Sequence, residues 1–301
     1  MKINVGIVGF GNLGKALATT LKDNPAFNLV QIFSKRQLPG VDHVRNIKLY
    51  KDKIDLLFLC GGSKDELELQ AQKYISDFSI VESYDNHSRL KSHITKLDAC
   101  AKKSNKIALC SFGWDPGLFS FARGLFDSIG YTPFTFWGKG LSQGHTQAIK
   151  NIKGVIDGVQ FTIPNKKIFS QINRNKITRQ SKDFHIRKCY VVCGKKDGQK
   201  IKREIISMPD YFEGYKTYVK FISSRALERI KNFAHQGIVT TAKSIFEFRL
   251  KTKSNPILTA KIMCAFARAY TKLATEKSWG AFTIFDIPFN AILPKDKFDY
   301  L

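Results

Sequence analysis

The sequence predicts an α/β fold, a doubly wound parallel sheet followed by a second, α+β domain. Three observations carry this. The run Gly9-Phe10-Gly11-Asn12-Leu13-Gly14 stands between an apolar, β-branched stretch, Ile3 to Val8, and a stretch with helical spacing, Lys15 to Leu21. Apolar runs and helix-spaced segments then alternate as far as Ser111, the pattern of successive βαβ units. Beyond Gly117 that rhythm stops, and apolar and polar residues alternate singly along several short segments.

Ile3 to Val8 reads as a buried strand. In the glycine run after it, Gly9 permits a tight turn, Gly11 lets backbone approach a pyrophosphate, and Gly14 lets helix and strand pack closely. The start of the following helix offers N–H groups and a positive dipole end to that pyrophosphate. A second strand is expected over Asn28 to Phe33. An NAD site usually has an acidic residue at the end of this strand to bind the ribose hydroxyls. Here the end carries Ser34-Lys35-Arg36. A hydroxyl and two cations suit a 2′-phosphate better than a solvated basic loop needs them, so the adenosine half is read as built for NADP.

Ile54 to Cys60 is the next strand, and Gly61-Gly62-Ser63 turns at its carboxyl end, where open α/β sheets bind ligands. Lys64 to Tyr74 has helix spacing, with Leu67, Ala71 and Tyr74 on one side. Ser79 to Tyr84 is a further strand with Asp85-Asn86-His87 at its end. A polar helix through Leu90, Ile94, Leu97 and Ala101 leads to the strand Ile107 to Ser111, which ends in Phe112-Gly113-Trp114-Asp115-Pro116-Gly117. Asp85 and Asp115 thus fall on the same expected rim as the glycine turn. Alone, either reads equally well as a turn former or a helix cap. Together, beside a nicotinamide site, they read as a cage for an ammonium group.

Past Gly117, Leu118 to Phe126 is expected to be helical, and Phe134 to Trp137 leads into a glycine-rich segment, Gly138 to His145. Gly158 to Pro164, His185 to Cys193 and Tyr215 to Ile222 alternate like strands of an antiparallel sheet with one exposed face. Phe169 to Lys182 is polar and basic, a helix plus loop. Asn255-Pro256 precedes a long amphipathic helix, Ile257 to Thr275, and Ala281 to Phe285 closes as a strand.

At 301 residues the chain is long enough for two or three lobes around real cores. Its hydrophobic content of 43% argues against disorder. The longest apolar runs, such as Leu56 to Cys60, are far too short for a membrane span. Met1-Lys2 runs straight into the first strand, which leaves no room for a signal peptide, and a cytoplasmic protein is expected. The six cysteines lack metal-ligand spacing and are expected as reduced thiols, with no metal site. The net charge of +24 is spread over the whole chain, without a basic tail or an arginine-clustered helix. It is read as a field that favours anionic ligands rather than as a nucleic-acid footprint.

Read together, these segments resemble the meso-diaminopimelate D-dehydrogenase family of bacterial lysine and cell-wall metabolism. The resemblance is carried by Gly-Phe-Gly-Asn-Leu-Gly at 9–14, Phe-Ser-Lys-Arg at 33–36, Tyr-Asp-Asn-His at 84–87 and Gly-Trp-Asp-Pro-Gly at 113–117. Phe-Trp-Gly-Lys-Gly-Leu-Ser-Gln-Gly-His at 136–145, Met-Pro-Asp-Tyr-Phe-Glu-Gly-Tyr at 208–215 and Gly-Ala-Phe-Thr at 280–283 complete it.

The resemblance implies a Rossmann domain over 1–117 with the segment 276–301 packed back on it. It implies a dimerisation part from 118–150 and 255–275, a substrate domain over 151–254, and a homodimer. The implied reaction is NADP-dependent oxidative deamination at the D-centre of meso-2,6-diaminopimelate. Asp85 and Asp115 are implied to hold the D-centre amino group beside Trp114. Thr162, Arg187 and His235 are implied at the distal L-centre carboxylate, and Gln143, Gly144 and Asn255 near that centre. Cofactor contacts are implied at Gly9, Gly11, Asn12, Leu13 and Gly14, at Ser34, Lys35 and Arg36, at Cys60, Gly61, Gly62 and Ser63, and at Asp85 and Asn86. One departure stands out: Arg89 occupies a position where members often carry aspartate.

Taken by themselves, Arg187 reads as a surface cation of a strand and His235 as a loop histidine. Two rival functions follow from the same residues. One is an NADP-dependent amino-acid dehydrogenase of broader scope, against which Gln143 argues. The other is a non-catalytic NADP-sensing or nucleic-acid-binding protein, against which Asp85, Trp114, Asp115 and Arg187 argue together.

Overall fold

The computed structural model describes residues 2–62, 66–172, 181–194, 196–231 and 234–301. The chain forms two compact units, Met1–Phe121 with Pro256–Leu301, and Ala122–Asn255. The first begins with β1 (Ile3–Val8), α1 (Asn12–Lys22), β2 (Phe27–Ser34) and the short β3 (Asp42–His43). It continues with β4 (Leu56–Leu59), α2 (Leu67–Tyr74), β5 (Ser79–Val81), α3 (Leu90–Lys103) and β6 (Ile107–Leu109). Successive side chains of a strand point to opposite faces, and β4 shows what that does to an all-apolar run. Leu56 and Phe58 join the core under α1, with Ile3, Val5, Leu17 and Leu21. Leu57 and Leu59 join the other core, with Leu67, Ala71, Leu97 and Ala101 of α2 and α3. Each such side chain contributes roughly 1.5–3 kcal/mol by leaving water, which is why the sheet is clad on both faces.

The second unit is entered through α4 (Leu118–Ser128) and holds β7 (Pro133–Trp137), β8 (Gly140–Leu141), α5 (Gln143–Lys150), β9 (Val155–Pro164) and α6 (Lys166–Ile172). β10 (His185–Cys193), α7 (Gly198–Ile206), β11 (Lys216–Phe221), α8 (Ser224–Ile230), β12 (His235–Thr241) and β13 (Glu247–Thr252) follow. It contains a four-stranded sheet ordered β11-β10-β9-β8 and a three-stranded one ordered β13-β12-β7. The sequence suggests an antiparallel sheet for the first. β9 and β10 are antiparallel, but β10 and β11 run parallel. The reason is α7, whose Ile201 and Ile205 pack into one core with Val191 and Phe212 and supply the crossover that a parallel pair requires. β12 and β13 also lie where the sequence reading places no strand.

The chain then returns through α9 (Asn255–Ala267), α10 (Ala269–Thr275) and β14 (Gly280–Phe282). The helix expected over 257–275 is divided at Arg268, whose guanidinium donates to the Ile292 carbonyl at 3.0 Å. α9 is buried on most sides, through Ala260, Ile262, Met263, Cys264, Phe266 and Ala267, and so is a core helix rather than an amphipathic one. β14 completes a parallel sheet ordered β14-β6-β5-β4-β1-β2-β3, the doubly wound Rossmann arrangement. The strand order reverses between β1 and β4, and the carboxyl ends of those strands flank the crevice in which such sheets bind ligands. Among the described residues no helix is long and apolar enough to cross a membrane.

Candidate active site

The glycine turn leaves β1 with Gly9 at φ +102° and its N–H on the Phe33 carbonyl, 2.8 Å away. A Cβ on Gly14 would stand 2.0 Å from the Gly9 carbonyl oxygen, so only glycine lets α1 pack this close to the turn. Around Gly11 the opposite holds, for a Cβ there would meet nothing within 4 Å. No side chain caps α1, which starts at Asn12 and Leu13, and the first N–H groups of a helix have no partner within it. This is the cradle a diphosphate fits.

Beside it, Ser34 is buried and its Oγ accepts from the Arg36 N–H at 3.0 Å. Arg36 Nη2 donates to the Phe10 carbonyl at 3.0 Å, which leans the guanidinium against the glycine turn. Lys35, next in the chain, pairs with Glu66 at 3.1 Å in an exposed contact. Its hydrogen bond holds the Glu66 carboxyl below the usual range. Cys60 closes the other side of the crevice: its N–H donates to Val8 O at 2.9 Å and its own carbonyl lies 3.2 Å from a Gly9 Cβ. Burial, with Cys264 nearby, pushes its thiol up and makes it inert. Gly61 lies against the Gln70 amide, and the Gly62 N–H reaches Glu66 at 3.4 Å. Ser63 lies outside the described residues.

The adjacent parallel strands β5 and β6 carry the next two sets of residues past their carboxyl ends. Asp85 stands exposed four residues beyond Val81, and Asp115 half-buried six beyond Leu109. The loop bearing Asp115 is closed on itself, Gly113 N–H to Pro116 O at 3.0 Å and Leu118 N–H to Gly113 O at 3.2 Å. Trp114 is half-buried, edge-on to Phe119 at 5.1 Å. Asn86 turns the chain into α3, accepting the Arg89 N–H at 3.1 Å. The Arg89 guanidinium lies 3.8 Å from Glu68 of α2, which also meets Lys96 at 3.6 Å. The Arg89 charge is thus answered by α2.

In the second unit, Gly140, Thr162 and Arg187 are direct neighbours across β8, β9 and β10. Arg187 is 5% exposed and donates through Nη1 to Thr162 Oγ1 at 2.5 Å. Gln160 donates to the same hydroxyl at 3.2 Å, and the Tyr215 ring lies 4.3 Å from the guanidinium. Burial pulls the Arg187 pKa down, with Tyr215 opposing it. His235 opens β12 and lies on Gly140, where a Cβ would come 2.4 Å from its Nδ1. A Cβ on Gly138 would in turn stand 2.0 Å from Thr162 O. The glycines of the 138–140 segment are therefore set by the close approach of Thr162 and His235. His235 Nδ1 lies 2.9 Å from the Gln236 N and 3.2 Å from the Gln236 carbonyl oxygen, and burial pulls its pKa down to about 4. At neutral pH it is uncharged.

Gln143 and Gly144 open α5 directly after β8. Asn255 begins α9 three residues past Thr252, the cross-strand neighbour of His235. Thr162, Arg187 and His235 are thus brought together around Gly140, with Gln143, Gly144 and Asn255 at the ends of the adjoining elements. Tyr215 and Gln160 are additions that sequence reasoning missed. Gln160 shares the strand parity of Thr162, and that parity is the signal that was available.

A family model described as the diaminopimelic acid dehydrogenase C-terminal domain matches residues 113–254. The meso-diaminopimelate D-dehydrogenase of Ureibacillus thermosphaericus is 39% identical over 99% of this chain and 98% of its own length. The solved structure of the Corynebacterium glutamicum DAP dehydrogenase in complex with DAP is 34% identical and superposes with a TM-score of 0.93, over 99% of this chain and 98% of that one. An engineered D-amino acid dehydrogenase bound to NADP+ gives 32% identity and a TM-score of 0.91, over 99% of this chain and 98% of that one. The chain belongs to the meso-diaminopimelate D-dehydrogenase family, oxidoreductases that act on CH–NH2 groups.

Proposed function

We propose that this enzyme oxidatively deaminates the D-centre of meso-2,6-diaminopimelate, reversibly, with NADP, giving L-2-amino-6-oxopimelate, ammonium and NADPH. The observation that carries the substrate class is Arg187. Among the described residues no carboxylate pairs with this buried guanidinium. An uncompensated buried cation is costly, and a substrate carboxylate relieves that cost. Its planar fork suits a carboxylate, with the Thr162 hydroxyl and the His235 imidazole beside it. A meso compound has two chemically similar ends, so anchoring the L-end decides which carbon reacts.

At the other end, Asp85 and Asp115 hold the D-centre ammonium between two carboxylates, and one of them takes its proton. The neutral nitrogen then supports the carbon with its lone pair as the C–H bond breaks. When bound, the nicotinamide supplies the two-electron acceptor for that hydrogen. Water adds to the resulting imine carbon, and ammonium leaves between the same two aspartates. For the adenosine end, Arg36 and the Ser34 turn support a 2′-phosphate, and the open side of Gly11 supports the diphosphate.

A homodimer is supported by an exposed apolar patch on the second unit. Leu125, Ile129, Ile245 and Phe248 are 48%, 50%, 54% and 37% exposed. Phe246 joins α4 to the β12–β13 hairpin through Phe126 at 5.6 Å and Tyr131 at 5.1 Å, and a second copy would cover such a surface. The unpaired state of all six thiols suits the cytoplasm.

The test is NADPH formation by purified protein with meso-, L,L- and D,D-diaminopimelate and with D-alanine. Turnover confined to the meso compound is expected. Comparable turnover of D-alanine would establish the broader-scope reading instead.

A further inference from the structure

Between the strand ends that bear Asp85 and Asp115 lies an acid with no part in that chemistry. Glu82, the residue after β5, and His93 of α3 are each 0% exposed. The Glu82 carboxylate accepts the Tyr84 N–H through Oε2, and through Oε1 the Ser111 N–H at 3.1 Å and His93 Nε2 at 3.2 Å. Its backbone binds the same neighbours, N–H to Leu109 O at 3.0 Å and carbonyl to Phe112 N–H at 2.9 Å. The Tyr84 ring stacks on His93 at 4.2 Å. A buried carboxylate persists only when its lone pairs are filled, and here N–H groups from three segments fill them.

Two of those segments lead directly to the proposed D-centre residues. Tyr84 precedes Asp85 in the chain. Ser111, at φ +64°, an uncommon conformation for a residue with a side chain, opens the turn that reaches Trp114 and Asp115. One carboxylate therefore fixes the starts of both aspartate-bearing turns. We infer that Glu82 is a positioning residue that sets Asp85 and Asp115 relative to each other for the substrate ammonium, an inference that rests on the D-centre reading above. The function needs a carboxylate. Glutamine has one acceptor oxygen, and its NH2 would face the N–H of either Tyr84 or Ser111, releasing one turn.

The experiment is a double-mutant cycle on the full chain with Glu82→Gln, Asp85→Asn and both together. Steady-state kcat and KM for meso-diaminopimelate are normalised to the fraction of protein that binds NADP, and Tm is recorded alongside. Glu82→Gln is expected to lower kcat/KM at least about tenfold, with NADP affinity unchanged within about twofold. In the Asp85→Asn background it should cost less than about threefold, because one of the two carboxylates whose relative placement it sets is already disabled. Wild-type kcat and KM in folded Glu82→Gln protein, with only Tm lowered, overturn the inference, as does a full additive loss in the double variant. Should Glu82→Gln fail to fold, His93→Phe is read instead, since it keeps the ring stacked on Tyr84 and removes one donor. It should lower kcat/KM in the same direction, and an unchanged value overturns the inference. An Asp85→Asn protein with wild-type turnover would remove the D-centre reading and this inference together. A disabled Asp85→Asn protein beside a fully active Glu82→Gln protein removes the inference alone.

Discussion

Arg187 reaches across from β10 to Thr162 on β9 at 2.5 Å, a buried cation answered by a hydroxyl and an aromatic face. Removing it should therefore act on substrate rather than on the fold. Arg187→Ala should cost roughly 2–4 kcal/mol in kcat/KM for meso-diaminopimelate. Arg187→Lys should recover only part, because a point charge cannot reproduce the fork. A short D-amino acid without a distal carboxylate should be a poor substrate, equally so for both proteins. Steady-state kinetics of the two substrates checks this, and an equal loss on both would remove Arg187 from the distal site.

The D-centre pair makes a different prediction. Asp115→Ala and Asp85→Ala should each cut turnover by about a hundredfold or more while NADP affinity stays nearly constant. Rapid-quench turnover at saturating substrate, paired with NADP titration, separates the two quantities. Wild-type turnover in both variants would leave these aspartates as turn residues only.

For the cofactor, Arg36 and Lys35 should not be equivalent, since Arg36 leans on the glycine turn and Lys35 is held by Glu66. NADP should be preferred to NAD at least tenfold, about 1.4 kcal/mol. Arg36→Ala should erode that preference more than Lys35→Ala. Ratios of kcat/KM for the two cofactors decide it, and equal ratios in the wild type would contradict the reading of the second strand's end.

Stability should depend on pH through His235. Burial holds its folded pKa at about 4, against 6.5 for the free side chain. The unfolded chain thus binds the proton more readily between those values. The contribution is fully present above about pH 6.5 and is lost as pH falls towards about 4, by up to about 3 kcal/mol. Burial, together with the Arg187 charge, moves His145 the same way. The unfolding midpoint of wild type should fall more steeply between about pH 7 and pH 4.5 than that of His235→Gln. Parallel curves would show that His235 titrates alike in both states.

The parallel sheet and the strand ends that carry the candidate residues are legible in the sequence, and for a local reason. The glycine turn, Ser34-Lys35-Arg36, Asp85 and Asp115 each sit at the end of an apolar run whose direction the βαβ rhythm dictates. What escaped depended on distant partners. α7 has nine residues and buries only Ile201 and Ile205 of its three isoleucines, so the crossover that makes β11 parallel to β10 is nearly silent. His235 reads as a loop residue because Gly237 interrupts the strand it begins. Glu82 was in plain view as a charge inside an apolar strand run, but its meaning lies in Tyr84, His93 and Ser111, which only the fold brings to it.

The sheet that carries the aspartate rim is finished late. β14 pairs with β6, Ala281 N–H binds Asp98 at 3.0 Å, and α9 fills the core beneath α1. All of these belong to residues that leave the ribosome after the whole second unit. Until then β6 is an open edge and the face under α1 is only partly covered, a state prone to pairing with other chains. The second unit is in effect an insertion in the middle of the first. A nascent or truncated chain stopping near Asn255 should therefore fail in its N-terminal part, far in sequence from the residues it lacks.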